Sequence, residues 1–449
     1  MIYTNLENLS NEISEVVNQF GIDLDLKLTA RFDGENKMMV FTEFSGKEFK
    51  FEYKLTYDGP LEKKRVIKRF IKLSAYKTMT ECFGEKLPWG ALTGIRPTKL
   101  AYQQGERWQK FFLDVMDVSP EKTNLIAEIL SSQKPYYSPM GSVSDLFVSI
   151  PFCPSRCAYC SFLSSEISKL KRLDEYVDAL IFEIESAKKL PLKYKCVYVG
   201  GGTPVSLPDE YFDRIMNALS GDYREFTVEA GRPDCITKEK LDIMKRYGVT
   251  RVCVNPQTFL DKTLQLIGRR HSAADVIEKY QLVKSYGFDV NMDLIAGLPN
   301  ESFEDFCYSL DKAAQLDPEN ITVHTLCLKK GSKLKENSAR LDAGDVAKMV
   351  DYAHNKLKLS GYLPYYLYRQ KYMAGNLENT GYTKNGKACV YNIDIMEEYA
   401  DIVACGANGV SKKVYGGEDR IERFASPKDV DTYLSKVEQI IEQKNKVFG

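Results

Sequence analysis

The sequence carries no excess charge of either sign, because 62 basic side chains balance 62 acidic ones over 449 residues. Without a basic surplus there is no electrostatic reason to expect nucleic acid as a partner. Residues 1–20 lack the basic-then-apolar pattern of a signal peptide, and no apolar run is as long as a membrane span. The eleven cysteines are odd in number and scattered, which favours a reduced protein over a disulfide scaffold. We therefore expect a cytoplasmic protein.

The apolar pattern changes twice along the chain and predicts three domains. Residues 1–140 combine helix-spaced and alternating stretches, which indicates an N-terminal α+β accessory domain. Its expected elements are a helix at Leu6–Phe20, strands at Leu24–Thr29, Met38–Glu43 and Phe49–Leu55, and a basic helix at Leu61–Phe83. Residues 331–449 are mixed, with a helix expected at Ala343–Leu359 and an aromatic strand at Tyr362–Tyr368. They predict a C-terminal mixed α/β domain.

Residues 145–330 alternate between short apolar runs and amphipathic stretches. The predicted strands are Leu146–Ile150, Cys196–Val199, Phe226–Glu229, Arg251–Val254, Val290–Ile295 and Ile321–Leu326. Six such units imply parallel strands with covering helices, an open or partial (β/α)6 barrel. The fold class is therefore α/β, and the active site is expected at the carboxyl ends of the strands.

Three cysteines with the spacing C-x3-C-x2-C follow the first of these strands: Cys153, Cys157 and Cys160. A short loop with three thiols suits an iron–sulfur cube whose fourth iron stays open to a small molecule. Most ferredoxin patterns supply four cysteines, and structural zinc needs four ligands with close pairs, but no second close pair follows here. Three buried cysteines that pack as small hydrophobes are the alternative. The spacing favours a cluster with an open iron.

Glycine or polar residues end the next strands. The run Gly200-Gly-Gly-Thr-Pro204 follows the second strand, and consecutive glycines let a backbone approach a ligand and expose N–H groups. Glu229, Gln257 and Asp293 end the third, fourth and fifth strands, and Arg269 lies in Gly-Arg-Arg-His. Each alone could be an ordinary turn or polar strand end. Together, in order along successive strands, they predict one site.

The run Phe147-Val-Ser-Ile-Pro-Phe-Cys153, continued by Cys160-Ser-Phe162, resembles the radical S-adenosylmethionine (SAM) superfamily. More narrowly, it resembles oxygen-independent coproporphyrinogen III dehydrogenases of the HemZ type and their heme-chaperone relatives. The segment Trp89–Lys99 is similar to the extra N-terminal region of that type. The resemblance implies a 4Fe-4S cluster on the three cysteines and one or two molecules of SAM. It assigns cofactor contacts to Phe147, Tyr159, Gly201, Gly202, Thr203, Glu229, Gln257, Arg269, Asp293 and Val410.

Within this set the resemblance implies different contacts. Tyr159, Gly202 and Thr203 match contacts of a second SAM, and Val410 matches a backbone contact to adenine. The chain departs from the dehydrogenase pattern at Ser149, where that pattern has His. It also has Phe147 in place of Tyr and Phe162 in place of a fourth Cys. The ending Cys-Ser-Phe is shared with HemZ-like and chaperone-like members.

The resemblance implies a radical oxidoreductase of porphyrin and heme biosynthesis. The reduced cluster would cleave SAM to a 5′-deoxyadenosyl radical, which would take hydrogen from a propionate of coproporphyrinogen III. Loss of carbon dioxide and one electron would leave a vinyl group, and two rounds would give protoporphyrinogen IX. Partners would be a tetrapyrrole substrate and a low-potential donor of flavodoxin or ferredoxin type. Arg96, Lys99 and Arg369 are candidates to neutralise propionates, and His271 is either a proton donor or packed.

Two other functions stay open for the same fold. A heme carrier would bind heme stoichiometrically without turning over SAM. A radical methyltransferase acting on heme would transfer a methyl group of SAM to a tetrapyrrole.

Overall fold

The computed structural model describes residues 1–21, 24–94, 96–160, 165–327, 343–370, 373–416 and 420–449. The chain forms two compact units. The first contains Met1–Ala127 and two short segments between residues 369 and 377. The second contains Glu128–Tyr368 and most of the chain after residue 378. The three domains drawn from the sequence stay a prediction.

The first unit is built on a four-stranded sheet with the strand order β1-β2-β3-β4. Its strands are β1 (Ile2–Thr4), β2 (Leu26–Asp33), β3 (Lys37–Phe44) and β4 (Lys47–Lys54). Strands β2, β3 and β4 confirm the three strands expected from the alternation and pair antiparallel, whereas β1 pairs parallel with β2 and was not predicted. Only three residues form β1, too few for an alternating pattern.

The expected first helix is shorter than its pattern suggested, because a 3-10 turn (Glu7–Leu9) precedes the helix Ser10–Val17. The long basic helix is confirmed at Gly59–Phe83. It has a proline in its first turn and ends at Gly84, whose φ of 71° is the left-handed conformation typical of a helix C-terminus.

The second unit contains an eleven-stranded sheet. Six of its strands are those predicted for the barrel: β5 (Val143–Ile150), β8 (Tyr194–Gly201), β9 (Glu225–Val228), β10 (Arg251–Cys253), β11 (Asp289–Ala296) and β12 (Asn320–Thr325). They are neighbours in chain order and every pair is parallel. Almost all of their residues are buried, as in parallel sheets covered by helices. This confirms the α/β class and the six-stranded partial barrel.

The chain after residue 343 extends this sheet at both edges. β13 (Leu363–Tyr368) and β14 (Asn379–Thr383) add antiparallel strands beside β12. On the other edge β15 (Ala400–Cys405) pairs parallel with β5, followed by antiparallel β16 (Val410–Tyr415) and β17 (Arg420–Ala425). A two-residue parallel pair completes the strands, with β6 at Phe152–Cys153 and β7 at Ser165–Glu166.

The longer helices of the remaining chain are Pro97–Gln104, Pro120–Gln133, Leu173–Lys188, Asp209–Ala218, Lys238–Arg246, Asp261–Leu266, Ala273–Ser285, Phe303–Leu316, Ala343–Leu359, Val390–Glu397 and Val430–Phe448. Two of them begin with a capping box, Ser272 with Asp275 and Ser302 with Asp305. In each, the serine hydroxyl accepts a hydrogen bond from the backbone N–H of the aspartate, and the aspartate carboxylate accepts one from the backbone N–H of the serine. Within the described ranges, every helix is too short or too polar to cross a membrane.

Candidate functional site

The loop that carries the three cysteines leaves the carboxyl end of β5. The N–H of Gly202 donates to the carbonyl of Ile150 at 2.8 Å, and that of Thr203 donates to Phe152 at 2.7 Å. On the other side, the N–H of Ala158 donates to the carbonyl of Ile267 at 2.9 Å. The glycine turn after β8 and the segment after Asp261–Leu266 thus hold the loop from two directions.

The three cysteines are reduced and partly buried. The hydroxyl of Thr203 donates to Cys153 Sγ at 3.5 Å, and Arg232 Nη1 donates to Cys157 Sγ at 3.8 Å. Among the described residues, one group of three has all its possible metal-binding atoms within 4.8 Å of one another, and the three cysteines are not that group. The three sulfurs are therefore spread more widely than the spacing of about 3.8 Å around one tetrahedral zinc ion. Three sulfurs at this spread, with donors aimed at two of them, fit an anionic iron–sulfur cube better than a single ion.

The glycine turn after β8 approaches the cysteine loop so closely that side chains are excluded. Gly201 has a φ of +98°, and a Cβ at Gly202 would lie 2.4 Å from the carbonyl oxygen of Phe152. A Cβ at Gly200 would lie 3.2 Å from Glu229 Oε2. The predicted need for glycine here has a steric cause, because the turn lies against the backbone of the cysteine loop with no room for side chains.

Glu229 follows β9, and its N–H donates to the carbonyl of Val199 at 2.9 Å. The hydroxyl of Tyr198 donates to Glu229 Oε1 at 2.5 Å. Burial disfavours the carboxylate and raises the pKa of Glu229 to about 7. The group can therefore be charged or neutral near physiological pH, depending on what lies beside it.

Gln257 has an unusual backbone for a residue with a side chain, since its φ is +67°. Hydrogen bonds on both sides hold it there. The N–H of Gln257 donates to the carbonyl of Asp293 at 2.9 Å, and the N–H of Ile295 donates to the carbonyl of Gln257 at 3.0 Å. Its buried Oε1 has no hydrogen-bond partner within the part of the chain that the structure describes. A strained residue with an unsatisfied polar atom at the strand ends is typical of a ligand site.

Arg269 is 7% exposed and links the cysteine loop to two strand ends. Its Nη1 donates to the carbonyls of Asn255 at 2.6 Å and Gly231 at 3.2 Å, and its Nη2 donates to the Tyr159 hydroxyl at 3.1 Å. Its Nε and Asn255 Oδ1 are buried without a partner among the described residues. The guanidinium is thus held rigidly and keeps one donor for a ligand.

Asp293 lies on β11, beside Gln257. Asn291 Nδ2 donates to its Oδ1 at 2.8 Å, and His324 Nε2 lies 3.6 Å from its Oδ2. Burial alone would favour the neutral acid, but hydrogen bonds from His324, Asn291 and Thr322 outweigh it and lower the pKa of Asp293. Asp293 is therefore an anion and an acceptor.

Phe147 contributes an aromatic ring rather than a polar group. It stacks at 6.3 Å on both Tyr198 and Tyr391, whose own rings are 4.6 Å apart at 24°. Val410 is the first residue of β16 and follows the turn after β15. The hydroxyl of Ser149 contacts this turn by donating to the carbonyl of Ala407 at 2.7 Å. The Val410 side chain is 46% exposed, so a contact to adenine would come from its backbone.

The predicted propionate and proton-transfer residues have mixed surroundings. Arg369 belongs to the first unit, donates to the carbonyls of Leu92 and Asn376, and lies over the Trp89 ring at 4.9 Å. This buried geometry favours a structural role. Arg96 and Lys99, at the start of the helix Pro97–Gln104, stay predictions.

His271 is buried, and its Nδ1 lies 3.6 Å from Asp234 Oδ1. Burial outweighs that carboxylate and lowers the pKa of His271, so the ring is neutral at pH 7. The residues Ser161 and Phe162, on which the Cys-Ser-Phe ending rests, lie outside the described residues.

Sequence reasoning missed four side chains of this region: Tyr198, Arg232, His324 and Tyr391. Tyr198 lies on β8 and His324 on β12, close to predicted site residues. The alternation of side chains along these two strands was a signal that could have identified both. Arg232, three residues after Glu229, stands in a polar loop whose contacts no spacing rule predicts. Tyr391 comes from the helix Val390–Glu397, far along the chain.

Comparisons with known proteins agree with this geometry. Residues 147–313 match the family model described as the radical SAM superfamily. The chain is 38% identical over 382 residues to the oxygen-independent coproporphyrinogen-III oxidase-like protein HemZ of Bacillus subtilis (strain 168). That match covers 80% of this chain and 76% of the relative.

Two other similarities are more limited. The heme chaperone HemW of Bacillus subtilis (strain 168) is 36% identical over 189 residues, 40% of this chain and 49% of the chaperone. Among solved structures, coproporphyrinogen III oxidase (HemN) from Escherichia coli aligns with a TM-score of 0.54 at 20% identity, over 72% of this chain and 73% of that one. At that identity the likeness shows the fold alone.

Proposed function

Because the chain belongs to the radical SAM superfamily and, within it, to the family of HemZ-like proteins, we propose that it oxidatively decarboxylates propionate side chains of coproporphyrinogen III. The product would be protoporphyrinogen IX, and the protein would be a radical SAM oxidoreductase of porphyrin and heme biosynthesis. The superfamily implies a 4Fe-4S cluster and SAM. The tetrapyrrole substrate is supported by the name of the HemZ relative.

The observation that carries this proposal is the set of unsatisfied buried polar atoms around the strand ends. Gln257 Oε1, Asn255 Oδ1 and Arg269 Nε are all buried without partners among the described residues. Leaving a buried polar group unpaired costs roughly 1–3 kcal/mol. A polar ligand would satisfy these groups, so their arrangement supports a bound polar cofactor.

The cofactors and the chain would divide the work. When bound, the cluster and SAM supply a one-electron reductive cleavage that generates a hydrogen-abstracting radical. Cys153, Cys157 and Cys160 would hold three irons, and the turn at Gly201 would present backbone to the methionine end of SAM.

The remaining contacts would orient SAM. Glu229, once charged, would accept from the ammonium group. The Nε of Arg269, which has no partner among the described residues, would pair with the carboxylate. Asp293 is held as an anion and would accept from ribose hydroxyls, while the strained Gln257 offers its side-chain carbonyl. The backbone of Val410 would meet adenine. A second SAM, if bound, would use Tyr159 and the Gly202–Thr203 turn.

The aromatic rings would form one wall of the reaction chamber. Phe147, Tyr198 and Tyr391 stack with interplanar angles between 18° and 28°. Such a wall suits a flat ring system and keeps water from a reactive radical. The electron would come from a low-potential donor of flavodoxin or ferredoxin type.

An anaerobic assay tests the proposal. The reconstituted protein receives dithionite, SAM and coproporphyrinogen III, and both protoporphyrin and 5′-deoxyadenosine are followed. We expect both to form together, and to be lost in Cys157→Ala but kept in Cys307→Ala, a cysteine on the helix Phe303–Leu316 away from the motif. 5′-Deoxyadenosine without decarboxylated product would retain the radical chemistry and overturn the substrate.

The similarity to HemW over 189 residues supports a second candidate, a heme carrier. Heme bound at one equivalent, with no 5′-deoxyadenosine in the same assay, would favour the carrier. Transfer of a methyl group from labelled SAM into a tetrapyrrole would instead favour a methyltransferase.

A further inference from the structure

An arginine–aspartate pair lies directly behind the second cysteine of the motif. Arg232 follows the end of β9 and is 3% exposed. Its Nε and Nη2 each lie 3.0 Å from one carboxylate oxygen of Asp234, a bidentate pair. The remaining nitrogen, Nη1, donates to Ser155 Oγ at 3.2 Å and to Cys157 Sγ at 3.8 Å. Every terminal nitrogen of the guanidinium therefore has a defined partner.

The backbone around this pair gives the guanidinium little freedom. Gly231 N–H donates to Cys253 O at 2.9 Å, which ties the turn to β10. Cys235 N–H donates to Arg232 O at 2.9 Å and closes a 3-10 turn that begins at Pro233. Since proline fixes φ, the two charged residues on either side of it keep a constant relation.

The charge arrangement points toward the sulfur. Asp234 neutralises Arg232 on the side away from the cysteine loop, and His271 faces the same carboxylate at 3.6 Å. Arg232 is buried whereas the Asp234 side chain is 25% exposed, so the ion pair is a dipole whose buried, positive end meets Cys157. In a region of low dielectric such a dipole is weakly screened, and N–H donors to ligand sulfurs are among the features that set cluster potentials.

We propose that Arg232, held by Asp234, is a positioning residue that raises the reduction potential of the cluster through Cys157. The inference rests on the proposed function, because it requires the cluster. Reduction by one electron adds negative charge that is shared with the ligand sulfurs. A fixed N–H donor and the positive end of the ion pair stabilise that charge more than they stabilise the oxidised form.

The test is the midpoint potential of the reconstituted protein, followed by electron paramagnetic resonance at controlled potentials. At the potential that half-reduces the wild-type cluster, we expect Arg232→Gln to lower the ratio of reduced to oxidised cluster about tenfold, which is 59 mV for one electron. Asp234→Asn should shift the potential upward, because it leaves the guanidinium charge uncompensated. Arg232→Lys, which keeps the charge without the fork, should fall between wild type and Arg232→Gln.

Arg246→Gln is the matched control. Arg246 pairs with Asp213 at 2.8 Å on the outside of the same unit, where the two side chains are 60% and 36% exposed. Loss of an arginine–aspartate pair there should leave the potential unchanged. Shifts of opposite sign at Arg232 and Asp234 would distinguish electrostatic tuning from a structural role, since disruption of the turn predicts the same direction for both.

A wild-type potential in Arg232→Gln at full cluster content would overturn the inference, as would equal shifts in both variants. Should Arg232→Gln fail to take up iron, the absence of an upward shift in Asp234→Asn would overturn it equally. Failure of the proposed function has a different signature, because the wild-type protein would then form no protoporphyrin in the anaerobic assay, whatever the potential of its cluster.

Discussion

Replacing Glu229 with glutamine should remove a pH dependence from the stability of the metal-free protein. The carboxyl lies among buried strand ends and accepts a hydrogen bond from Tyr198 at 2.5 Å. Burial raises its pKa from 4.5 to about 7. A glutamine carbonyl can accept the same hydrogen bond, so the substitution removes the charge and retains the contact.

The sign and size follow from proton binding. Between pH 4.5 and 7 the folded protein holds a proton on Glu229 that the unfolded chain has lost. The corresponding stability is fully present below pH 4.5 and is lost as pH rises through 7. At 1.36 kcal/mol per pH unit, the full window corresponds to at most about 3 kcal/mol. Since Glu229 is only half-buried, water will reduce this value.

The assay is urea unfolding of the apoprotein under a thiol reductant from pH 5 to pH 8. The free energy of unfolding of Glu229→Gln minus that of wild type should increase as pH rises, with most of the increase between pH 5 and 7. Glu239→Gln, on the exposed face of the helix Lys238–Arg246, should run parallel to wild type. A pH-independent difference, or a Glu229→Gln protein that loses stability relative to wild type at pH 8, would refute the reasoning.

Three further substitutions test two residues of the site and one buried ion pair of the fold. Gly202→Ala places a Cβ 2.4 Å from the carbonyl of Phe152, so calorimetry should show SAM affinity reduced at least about tenfold and urea unfolding a loss of about 1 kcal/mol or more. Gln257→Gly removes a left-handed φ and an unpaired buried oxygen, so apoprotein stability should rise by about 1–2 kcal/mol while SAM affinity falls; unchanged affinity would contradict a ligand role. Lys444→Met leaves the buried carboxylate of Glu183 without its cation at 2.6 Å, and a loss of about 3–5 kcal/mol in urea unfolding is expected.

The barrel could be predicted from sequence because parallel strands convert order along the chain into order in space. Each apolar run of four to eight residues between amphipathic stretches became one buried strand, and the six strands pair with their chain neighbours. Sequence patterns do not show which edge a later strand joins. The parallel pairing of Ala400–Cys405 with Val143–Ile150 brings together residues more than 250 positions apart, and no local periodicity encodes it.

The same distinction explains the candidate site. Glu229, Gln257 and Asp293 were predictable as neighbours, because they belong to three adjacent strands, although Gln257 follows β10 by four residues and Asp293 lies within β11 rather than at its end. The backbone conformation of Gln257 could not be predicted, because a φ of +67° is normally adopted by glycine. It is imposed by the two hydrogen bonds that join Gln257 to β11, and these exist only once the strands are paired.

Three of the four side chains that sequence missed contact predicted site residues through polar groups. Tyr198 donates to Glu229, His324 approaches Asp293, and Arg232 donates to Cys157. Their effect is on a partner group, so it depends on distances between 2.5 and 3.8 Å that follow from packing. The motif residues state which chemistry is available, whereas His324 helps to keep Asp293 charged and, under the inference above, Arg232 raises the potential at which the cluster accepts an electron. Relatives with the same motif can therefore differ in reactivity through residues that no motif contains.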